Sequence, residues 1–431
     1  MSTERSKVIT FIGSLVESGD IEVLRKRLRP RFDPPSPRIA GGAAASANAI
    51  EKRLARLNAS PETRSALADQ ATLDSCERYR ANIEHLVGTV KIPVGIAGPL
   101  RVNGLFASGD YYVPLATTEA ALVASYSRGA ELITAAGGCA AVTLNEGVGR
   151  APGFAFESLE QAGMFAAWAA TQYEAFQKEC SATTSHGSLT GVRTTVEGNH
   201  VYLHFEFLTG DASGQNMVTI ATERICRFIE TASPVRPRYY FVEANLSGDK
   251  KASAQSFVSV RGRKVSAELT VPAALIAKRL RTTPARMVDY WRMAALGGVM
   301  SGTIGVHGHF ANGLAALYIA CGQDVAAVAE SAIGVTRLEV TDSGDLYAAA
   351  TLPNLIVGTV GGGTSLPSQR ACLDLMGLSG TGHVRALGEV CAAVCLAGEL
   401  SIIGALCAGE FVRAHAKLAR GRKTAPPECQ P

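Results

Sequence analysis

The stretch Pro114-Leu-Ala-Thr-Thr-Glu-Ala-Ala-Leu-Val-Ala-Ser125 constrains the fold most, because it places one carboxylate, Glu119, among small and apolar residues. Pro114 and the threonine pair are helix-start signals, and no further charge follows until Arg128. The pattern predicts a buried helix around which the rest of the chain is organised. A buried carboxylate has a raised pKa and can act as a general acid, although an acid that only complements the helix dipole fits the same residues.

Composition limits the class of protein. A chain of 431 residues is long enough for two or three folding units. Its net charge of +4 at pH 7 is too small to indicate a nucleic-acid partner. The N-terminal residues do not form a secretory signal, and Glu399 and Glu410 interrupt the most apolar region, so no run reaches the roughly 18 apolar residues of a membrane span. We therefore expect a cytoplasmic protein that contacts neither nucleic acid nor membrane.

The ten cysteines are scattered along the chain without the spacing of metal ligands. Cys391 and Cys395 share one helix face beside alanines, which favours apolar packing over ligation. We therefore predict reduced, packed thiols and no metal site.

The pattern of residues changes along the chain. The charged, helix-prone opening contains the loop Arg31–Arg38 and the small-residue tract Gly41–Ser46, and the glycines and β-branched residues of Leu86–Leu100 then indicate short strands. From about residue 150, helices and strands alternate, which predicts a small α+β unit inserted into a larger domain. The elements expected in that unit are a helix at Leu159–Lys178, strands at Val192–Val196 and Val201–Leu208, a helix ending at Thr231, and strands at Arg238–Glu243 and Phe257–Val260.

Two glycine-rich stretches are candidate ligand-binding loops. Gly210-Asp-Ala-Ser-Gly-Gln-Asn-Met217 places small residues at a helix start, where a flat ligand can approach and free amide groups can bind phosphates. It lacks the GxGxxG fingerprint of ordinary dinucleotide sites, so its composition alone is weak support. Gly358-Thr-Val-Gly-Gly-Gly-Thr364 wraps a cofactor or simply turns tightly.

Charged residues in three other stretches are candidate catalytic groups. The turn Asn245–Lys251 presents two lysines beside an aspartate, and a lysine held by a carboxylate can stabilise an oxyanion, although a surface turn has the same composition. Asp324 follows an apolar run, and if it is buried together with Glu119, Lys250 is a plausible partner for both. His415 has cationic neighbours that would lower its pKa, and plain helix surface is the simpler alternative.

Taken in order, these stretches resemble 3-hydroxy-3-methylglutaryl-coenzyme A reductases of the class I branch, without their membrane anchor. The resemblance runs from about residue 84 almost to the end of the chain. The residues that carry it are Ile92-Pro-Val-Gly-Ile-Ala-Gly-Pro-Leu100, Ala116-Thr-Thr-Glu119, Gly210–Met217, Asp249-Lys-Lys251, Tyr318-Ile-Ala-Cys-Gly-Gln-Asp324, Gly358–Thr364, Ala397-Gly-Glu-Leu-Ser401 and Val412-Arg-Ala-His415.

The resemblance implies an α+β fold of three parts. A helical N-terminal domain, 1–83, precedes a large domain, 84–147 and 246–431, built around the helix containing Glu119. A ferredoxin-like domain inserted at 148–245 would bind NADP(H). The resemblance also implies a homodimer or larger homo-oligomer with active sites between subunits, and an acyl-CoA thioester that takes two hydrides from NADPH to become an alcohol.

Carried onto matching positions, the resemblance implies a role for each motif. Lys250 would stabilise the oxygen anion at each hydride step, Asp324 and Glu119 would tune it and supply protons, and His415 would protonate the departing CoA thiolate. Carbonyl reduction needs such an oxygen donor and a proton source. The implied cofactor-binding residues are Asp211, Ser213, Gly214, Asn216 and Met217, and the implied substrate-binding residues are Arg128, Asp249, Lys251 and Asn312.

Departures from the family pattern concern the acyl group. No basic residue lies in Gly138–Glu146, the usual lysine is replaced near Met293, and Glu243-Ala-Asn245 stands where the family reads Ser-Gly-Asn. Fewer cations and an added anion are expected to weaken binding of a carboxylate-bearing acyl chain. Reduction of hydroxymethylglutaryl-CoA is the leading hypothesis, another acyl thioester is the second, and a non-catalytic CoA-binding relative is the third. The loop Thr184–Gly187 lacks an arginine for the 2′-phosphate of NADPH, so NADH stays open as cofactor.

Overall fold

The computed structural model describes residues 13, 21–34, 36–39 and 41–409. Contacts divide the chain into two compact units between Thr89 and Val90, whereas the sequence analysis placed this boundary after residue 83. The backbone N–H groups of His85 and Thr89 donate to carbonyls of the first unit at 2.7 and 2.8 Å. These bonds tie residues 85–89 to the first unit.

The first unit is helical, with a small apolar core formed by Ala45, Ile50, Leu54, Cys76 and Leu86. Three of its helices start after a serine or aspartate whose side chain accepts a backbone N–H. Such a cap gives one of the unpaired N–H groups of the first helical turn a hydrogen-bond partner. The described helices are α1 (Ile21–Leu28), α2 (Ala47–Arg56), α3 (Pro61–Leu67) and α4 (Gln70–Asp74).

The second unit is built on one ten-stranded sheet. Its strand order is β7-β4-β6-β3-β8-β10-β9, with β1 paired to β2 and β3, and β5 paired to β6. The strands are β1 (Val94–Gly104), β2 (Ser108–Ala116), β3 (Cys139–Arg150), β4 (Gly153–Ala155), β5 (Ser188–Glu197), β6 (His200–Leu208), β7 (Tyr239–Phe241), β8 (Gly262–Val271), β9 (Val335–Val340) and β10 (Leu346–Leu355).

Strand β3 joins two apolar cores within this unit. Most of β3 pairs antiparallel with β8, and its last residues, 148–150, pair antiparallel with β6. Buried aromatic residues such as Phe154, Phe165 and Phe205 fill the smaller core, which is built from residues between Val148 and Tyr240. The charged end of β3, Arg150, therefore lies where the two cores meet.

The described helices of the second unit pack on this sheet. They are α5 (Leu122–Ala135), α6 (Leu159–Ala170), α7 (Tyr173–Ser181), α8 (Gln215–Ala232), α9 (Ala273–Leu280), α10 (Pro284–Ser301), α11 (Phe310–Ala320), α12 (Val328–Ser331), α13 (Pro367–Leu375) and α14 (Val384–Cys407). The mixture of helices with a largely antiparallel sheet confirms the predicted α+β class.

Helix α14 is the central helix of the larger core. In the part of the chain that the structure describes, it alone is long and apolar enough to cross a membrane, and 89% of its most apolar window is buried inside the protein. Cys391 and Cys395 are 0% and 1% exposed, which confirms their predicted apolar packing. Burial raises the pKa of the Cys391 thiol to about 12, so this thiol stays protonated at neutral pH.

The segment that begins at Pro114 does not start a helix, which corrects the sequence prediction. Pro114 lies in β2 opposite Ile96, and β2 pairs only with β1 among the described strands. The edge position tolerates a proline, because no neighbouring strand in the described part of the chain needs the N–H that proline lacks. Helix α5 begins at Leu122, after Ala121 in the left-handed conformation with φ of 71°. Glu119 therefore precedes the helix and is exposed, and its predicted burial is wrong.

Local predictions in the small core were mostly confirmed. Strands β5 and β6 form the expected hairpin, while the helix expected at Leu159–Lys178 is two helices separated at Thr171–Gln172. The strand expected at Phe257–Val260 is wrong. Ser253 Oγ accepts the Gln255 N–H at 3.3 Å and starts a 3₁₀ turn that runs to Phe257.

Candidate active site

Lys250 and Asp324 form an ion pair at the surface of the second unit. Lys250 Nζ lies 2.8 Å from Asp324 Oδ2, and the two side chains are 43% and 36% exposed. Asp324 Oδ1 also accepts the Ala326 N–H at 3.1 Å, which fixes the carboxylate at the start of a short turn. An ammonium has three N–H donors, so Lys250 can hold Asp324 and a substrate oxygen together. The predicted partnership is present, although neither group is buried.

A chain of alternating charges lies directly behind Lys250. Arg150 Nη1 is 2.8 Å from Asp249 Oδ2 and 3.3 Å from Glu243 Oε2. Arg261 bridges the other Asp249 oxygen, at 2.7 Å, to Glu330, at 2.6 Å. Each buried charge thus has opposite charges as neighbours, which burial of ionised groups requires.

The two carboxyl groups bound by Arg261 differ in their pKa. Burial raises the pKa of Asp249, but Arg261 and Arg150 outweigh burial and bring it below its ordinary value. Burial also raises the pKa of Glu330, and there Arg261 offsets the rise only in part. Asp249 is therefore firmly ionised at neutral pH, and each of its oxygens accepts a hydrogen bond from a guanidinium group.

Local sequence patterns did not indicate this chain of charges. Gly138–Glu146 contains no basic residue, but β3 ends on one four residues beyond Glu146, at Arg150. Glu243, expected as an added anion near the acyl group, is paired with Arg150 and accepts the Ser247 hydroxyl at 2.9 Å. Arg261 and Glu330 are 69 residues apart, and no local spacing indicates their pairing.

Glu119, Arg128 and Asn312 come together in a second place, a cavity of about 540 Å³. His309 and Tyr126 also line this cavity, and the Tyr126 hydroxyl lies 3.0 Å from His309 Nδ1. Burial raises the pKa of the Tyr126 hydroxyl well above its ordinary value, so the phenol stays protonated. The cavity therefore combines one exposed carboxylate with an imidazole whose orientation a tyrosine fixes.

Further hydrogen bonds hold the residues of the cavity wall in place. Arg128 donates to the carbonyl of Ser401 at 2.8 Å. Glu399, 1% exposed in α14, accepts the backbone N–H groups of Gly308 and His309 at 2.8 and 2.9 Å. Among the described residues, no hydrogen bond or ion pair joins Glu119 to Lys250 or Asp324. A single chain therefore presents two separate groups of candidate residues.

The five candidate cofactor-binding residues occupy the turn before α8 and its first residues. Gly214 has φ of 73°, and a Cβ there would lie 2.2 Å from the Thr209 side chain, so only glycine fits. No side chain caps the first N–H groups of α8. An uncapped helix start suits a phosphate, and the turn fits a phosphate-bearing cofactor. The residues predicted for this role are Asp211, Ser213 and Gly214 in the turn, and Asn216 and Met217 in the first turn of α8.

The second glycine-rich loop connects this turn to Asp324. The Thr359 N–H donates to the Asp211 carbonyl at 2.9 Å. Gly358 exchanges hydrogen bonds with the Gln323 side chain, at 2.8 Å through its N–H and 2.9 Å through its carbonyl. A Cβ at Gly358 would lie 2.7 Å from the backbone nitrogen of Ser213. Three motifs that were separate in the sequence therefore meet at this loop.

His415, the fourth candidate catalytic residue, lies outside the described residues. Asp249 and Lys251 lie beside Lys250 in the turn Asn245–Lys251, which we call the Lys250 turn. Lys251 Nζ donates to the Asp249 carbonyl at 3.0 Å. The roles assigned to all these residues remain predictions.

An exposed lysine–carboxylate pair connected to a phosphate-compatible turn is suited to reducing a carbonyl, and this arrangement defines a candidate oxidoreductase. The sequence profile of the Hydroxymethylglutaryl-coenzyme A reductase family matches residues 49–420. A 3-hydroxy-3-methylglutaryl-coenzyme A reductase of Pyrococcus horikoshii is 43% identical over 357 residues, which are 81% of this chain and 86% of that protein. The corresponding reductase of Aeropyrum pernix is also 43% identical, over 81% of this chain and 84% of that protein.

The chain therefore belongs to the hydroxymethylglutaryl-coenzyme A reductase family, which confirms the resemblance, and it is an enzyme. Its fold is similar to that of a class II 3-hydroxy-3-methylglutaryl-CoA reductase from Streptococcus pneumoniae bound to NADPH. The TM-score is 0.62 at 18% identity, and the match covers 83% of this chain and 96% of that one.

Proposed function

We propose that this protein reduces 3-hydroxy-3-methylglutaryl-CoA to mevalonate and CoA with two hydrides from NADPH. The observation that carries the proposal is the Lys250 ammonium, held 2.8 Å from Asp324 and still open to solvent. A positioned cation of this kind stabilises the negative charge that develops on a carbonyl oxygen during reduction. Family membership supports the substrate and the cofactor.

Each residue has a defined part in this reaction. NADPH, when bound, would supply a hydride to the thioester carbon, and Lys250 would bind the oxyanion that forms there. Collapse of that oxyanion breaks the carbon–sulfur bond, and His415 gives the departing thiolate its proton. The second reduction converts the aldehyde to an alcohol, with Glu119 as the proton source at the oxygen that Lys250 binds. The turn at Asp211 and the start of α8 would hold the cofactor, and the inserted domain, 148–245, would carry this turn.

A second candidate is the same double reduction on an acyl thioester without a free carboxylate. The contacts of Arg150, the basic residue at the end of β3, favour this candidate. Glu243 and Asp249 already neutralise its guanidinium, so Arg150 is poorly suited to bind an acyl carboxylate. Under the leading proposal, the exposed Lys251 binds the acyl carboxylate, and Arg128, which also donates to Ser401, lines the Glu119 cavity. Purified protein with NADPH is expected to turn over hydroxymethylglutaryl-CoA at least tenfold more efficiently than butyryl-CoA, because each cation contact to a carboxylate contributes roughly 1.5–3 kcal/mol. The opposite preference in kcat/KM would favour the second candidate.

We infer that a second copy of the chain completes the site. Among the described residues, no hydrogen bond or ion pair joins Glu119 to the Lys250–Asp324 pair, yet the reaction needs both. Helix α10 also exposes Met293, Leu296, Val299 and Met300, each more than 60% accessible, which is typical of a surface that another chain covers. The expected assembly is a homodimer with Glu119 from one subunit facing Lys250 of the other.

This arrangement predicts complementation between two inactive variants. Homodimers of Lys250→Ala and of Glu119→Gln should each be inactive, because each lacks one half of every site. Co-expressed chains that pair at random should recover roughly one quarter of the wild-type activity, since half of the dimers carry one intact site out of two. Purified heterodimers without activity would show that both groups act within one subunit.

A further inference from the structure

Arg261 and Glu330 form a buried ion pair that the proposed reaction does not use. Their side chains are 2% and 0% exposed, so neither can touch a substrate or cofactor. Removing two charges from water is costly, and a packed apolar pair of similar size would often be at least as stable. The contacts of the pair therefore indicate what it does.

The pair holds two successive residues of the Lys250 turn. Glu330 binds Arg261 Nη1 through both oxygens, each at 2.6 Å, and its Oε1 also accepts the backbone N–H of Lys250 at 3.1 Å. Arg261 Nη2 donates to Asp249 Oδ1 at 2.7 Å. The side chain of residue 249 and the backbone of residue 250 are thus fixed by the same two buried groups.

The pair is itself fixed to the larger core. The Arg261 N–H donates to Asn354 Oδ1 at 2.8 Å, and Asn354 is 4% exposed in β10. Glu330 lies in α12 beside Ser331, whose hydroxyl accepts the Ile356 N–H at 3.0 Å. Both partners therefore connect the turn to rigid elements.

The backbone of Lys250 needs this support. Its φ is 54°, a left-handed conformation that residues with a side chain rarely adopt. Such a conformation persists only where the surroundings impose it, and it is common at functional sites. In the Lys250 turn, the Glu330 carboxylate and the Arg261–Asp249 bond supply that constraint.

We propose that Glu330 and Arg261 are positioning residues that hold the Lys250 ammonium where the oxyanion forms. The inference rests on the proposed reductase function of Lys250. Glu330 acts through the backbone N–H of Lys250, and Arg261 acts through Asp249 and through Glu330. A shift of about 1 Å in such a group can cost about 10²-fold in rate, so the pair is expected to affect kcat rather than cofactor affinity.

The test compares Glu330→Gln with Ser331→Ala in the full-length protein. Glutamine keeps the shape of Glu330 but loses the charge that binds Arg261, so kcat is expected to fall between 10- and 100-fold while the Kd for NADPH changes less than twofold. Glu330→Asp, which keeps the charge, should recover part of the loss. Ser331→Ala removes a neighbouring buried hydrogen bond without touching the pair, and its kcat should stay within twofold of wild type.

Amide hydrogen exchange gives a readout that does not depend on turnover. In Glu330→Gln, the peptide spanning 245–252 should exchange faster than in wild type, because the amide oxygen of glutamine is a weaker acceptor for the Lys250 N–H than the carboxylate it replaces. Ser331→Ala should leave that peptide unchanged. Unchanged exchange and kcat in a folded Glu330→Gln protein would overturn the positioning role.

Arg261→Lys serves as a second variant should Glu330→Gln not fold. Lysine keeps the positive charge but lacks the fork that spans Asp249 and Glu330, so the same loss of kcat and the same faster exchange are expected. A folded Arg261→Lys enzyme with wild-type kcat and exchange would overturn the proposal. A wild-type protein without turnover would refute the reductase function instead, and the exchange comparison would still decide the positioning role.

Discussion

Replacing Lys250 by alanine is expected to lower kcat by about 10³-fold, which corresponds to about 4 kcal/mol of transition-state stabilisation. The physical reason is that the ammonium held by Asp324 at 2.8 Å is the proposed cation facing the oxyanion in both reductions. NADPH binding should change little, because the Asp211 turn keeps its own contacts. Steady-state kinetics with hydroxymethylglutaryl-CoA, together with the Kd for NADPH, measure the two effects separately.

Lys251→Ala is the matched control for this prediction. Lys251 is adjacent and exposed, and among the described contacts its ammonium donates only to the Asp249 carbonyl, at 3.0 Å. Its removal is expected to raise KM for the acyl-CoA while kcat falls less than tenfold, since it binds the substrate in ground and transition states alike. Equal losses of kcat in the two variants would contradict the assignment of the oxyanion donor to Lys250.

Gly129→Ala is expected to destabilise the protein by about 3 kcal/mol or more, the second large effect. Helices α5 and α14 approach so closely that a Cβ at Gly129 would lie 1.9 Å from the Ala397 carbonyl oxygen and 2.5 Å from its carbon. Both contacts are with backbone, which cannot rotate away as a side chain can. The helices must therefore separate, and the packing around the central helix is lost with them. Denaturant unfolding of the purified variant measures the effect.

Gly163→Ala provides the control for backbone and propensity effects. Gly163 is exposed in α6, and no atom lies within 4 Å of the Cβ that alanine would add. Alanine is a better helix former than glycine, so this variant should gain up to about 1 kcal/mol. A Gly129→Ala protein as stable as Gly163→Ala would show that α5 and α14 are not in backbone contact.

Sequence patterns predicted the local elements of the small core and the motifs of the site. The β5–β6 hairpin follows from alternating residues on either side of a short polar turn, and this information is local. The prediction failed at Pro114, whose helix-start signal was outweighed by the pairing of β2 with β1. Pro114 pairs with Ile96, which lies in the preceding strand and outside the helix-start pattern, and the pairing also places Glu119 before the helix in an exposed position.

The chain of charges behind Lys250 could not be predicted from local sequence patterns either. Arg150, Asp249 and Arg261 occupy unrelated segments, and Glu330 joins them from a helix 69 residues beyond Arg261. Each is an unremarkable charged residue in its own neighbourhood, so no spacing indicates that they pair. Only the fold shows that Glu243 is compensated by Arg150 rather than left as a free anion.

The most direct test of the proposed function is the ratio of NADPH oxidised to CoA released when the purified protein acts on hydroxymethylglutaryl-CoA. A double reduction predicts two NADPH consumed for each CoA and each mevalonate formed, with no aldehyde accumulating. One NADPH per CoA, with the aldehyde as product, would contradict the proposal, as would a folded protein that binds NADPH but never oxidises it with this thioester.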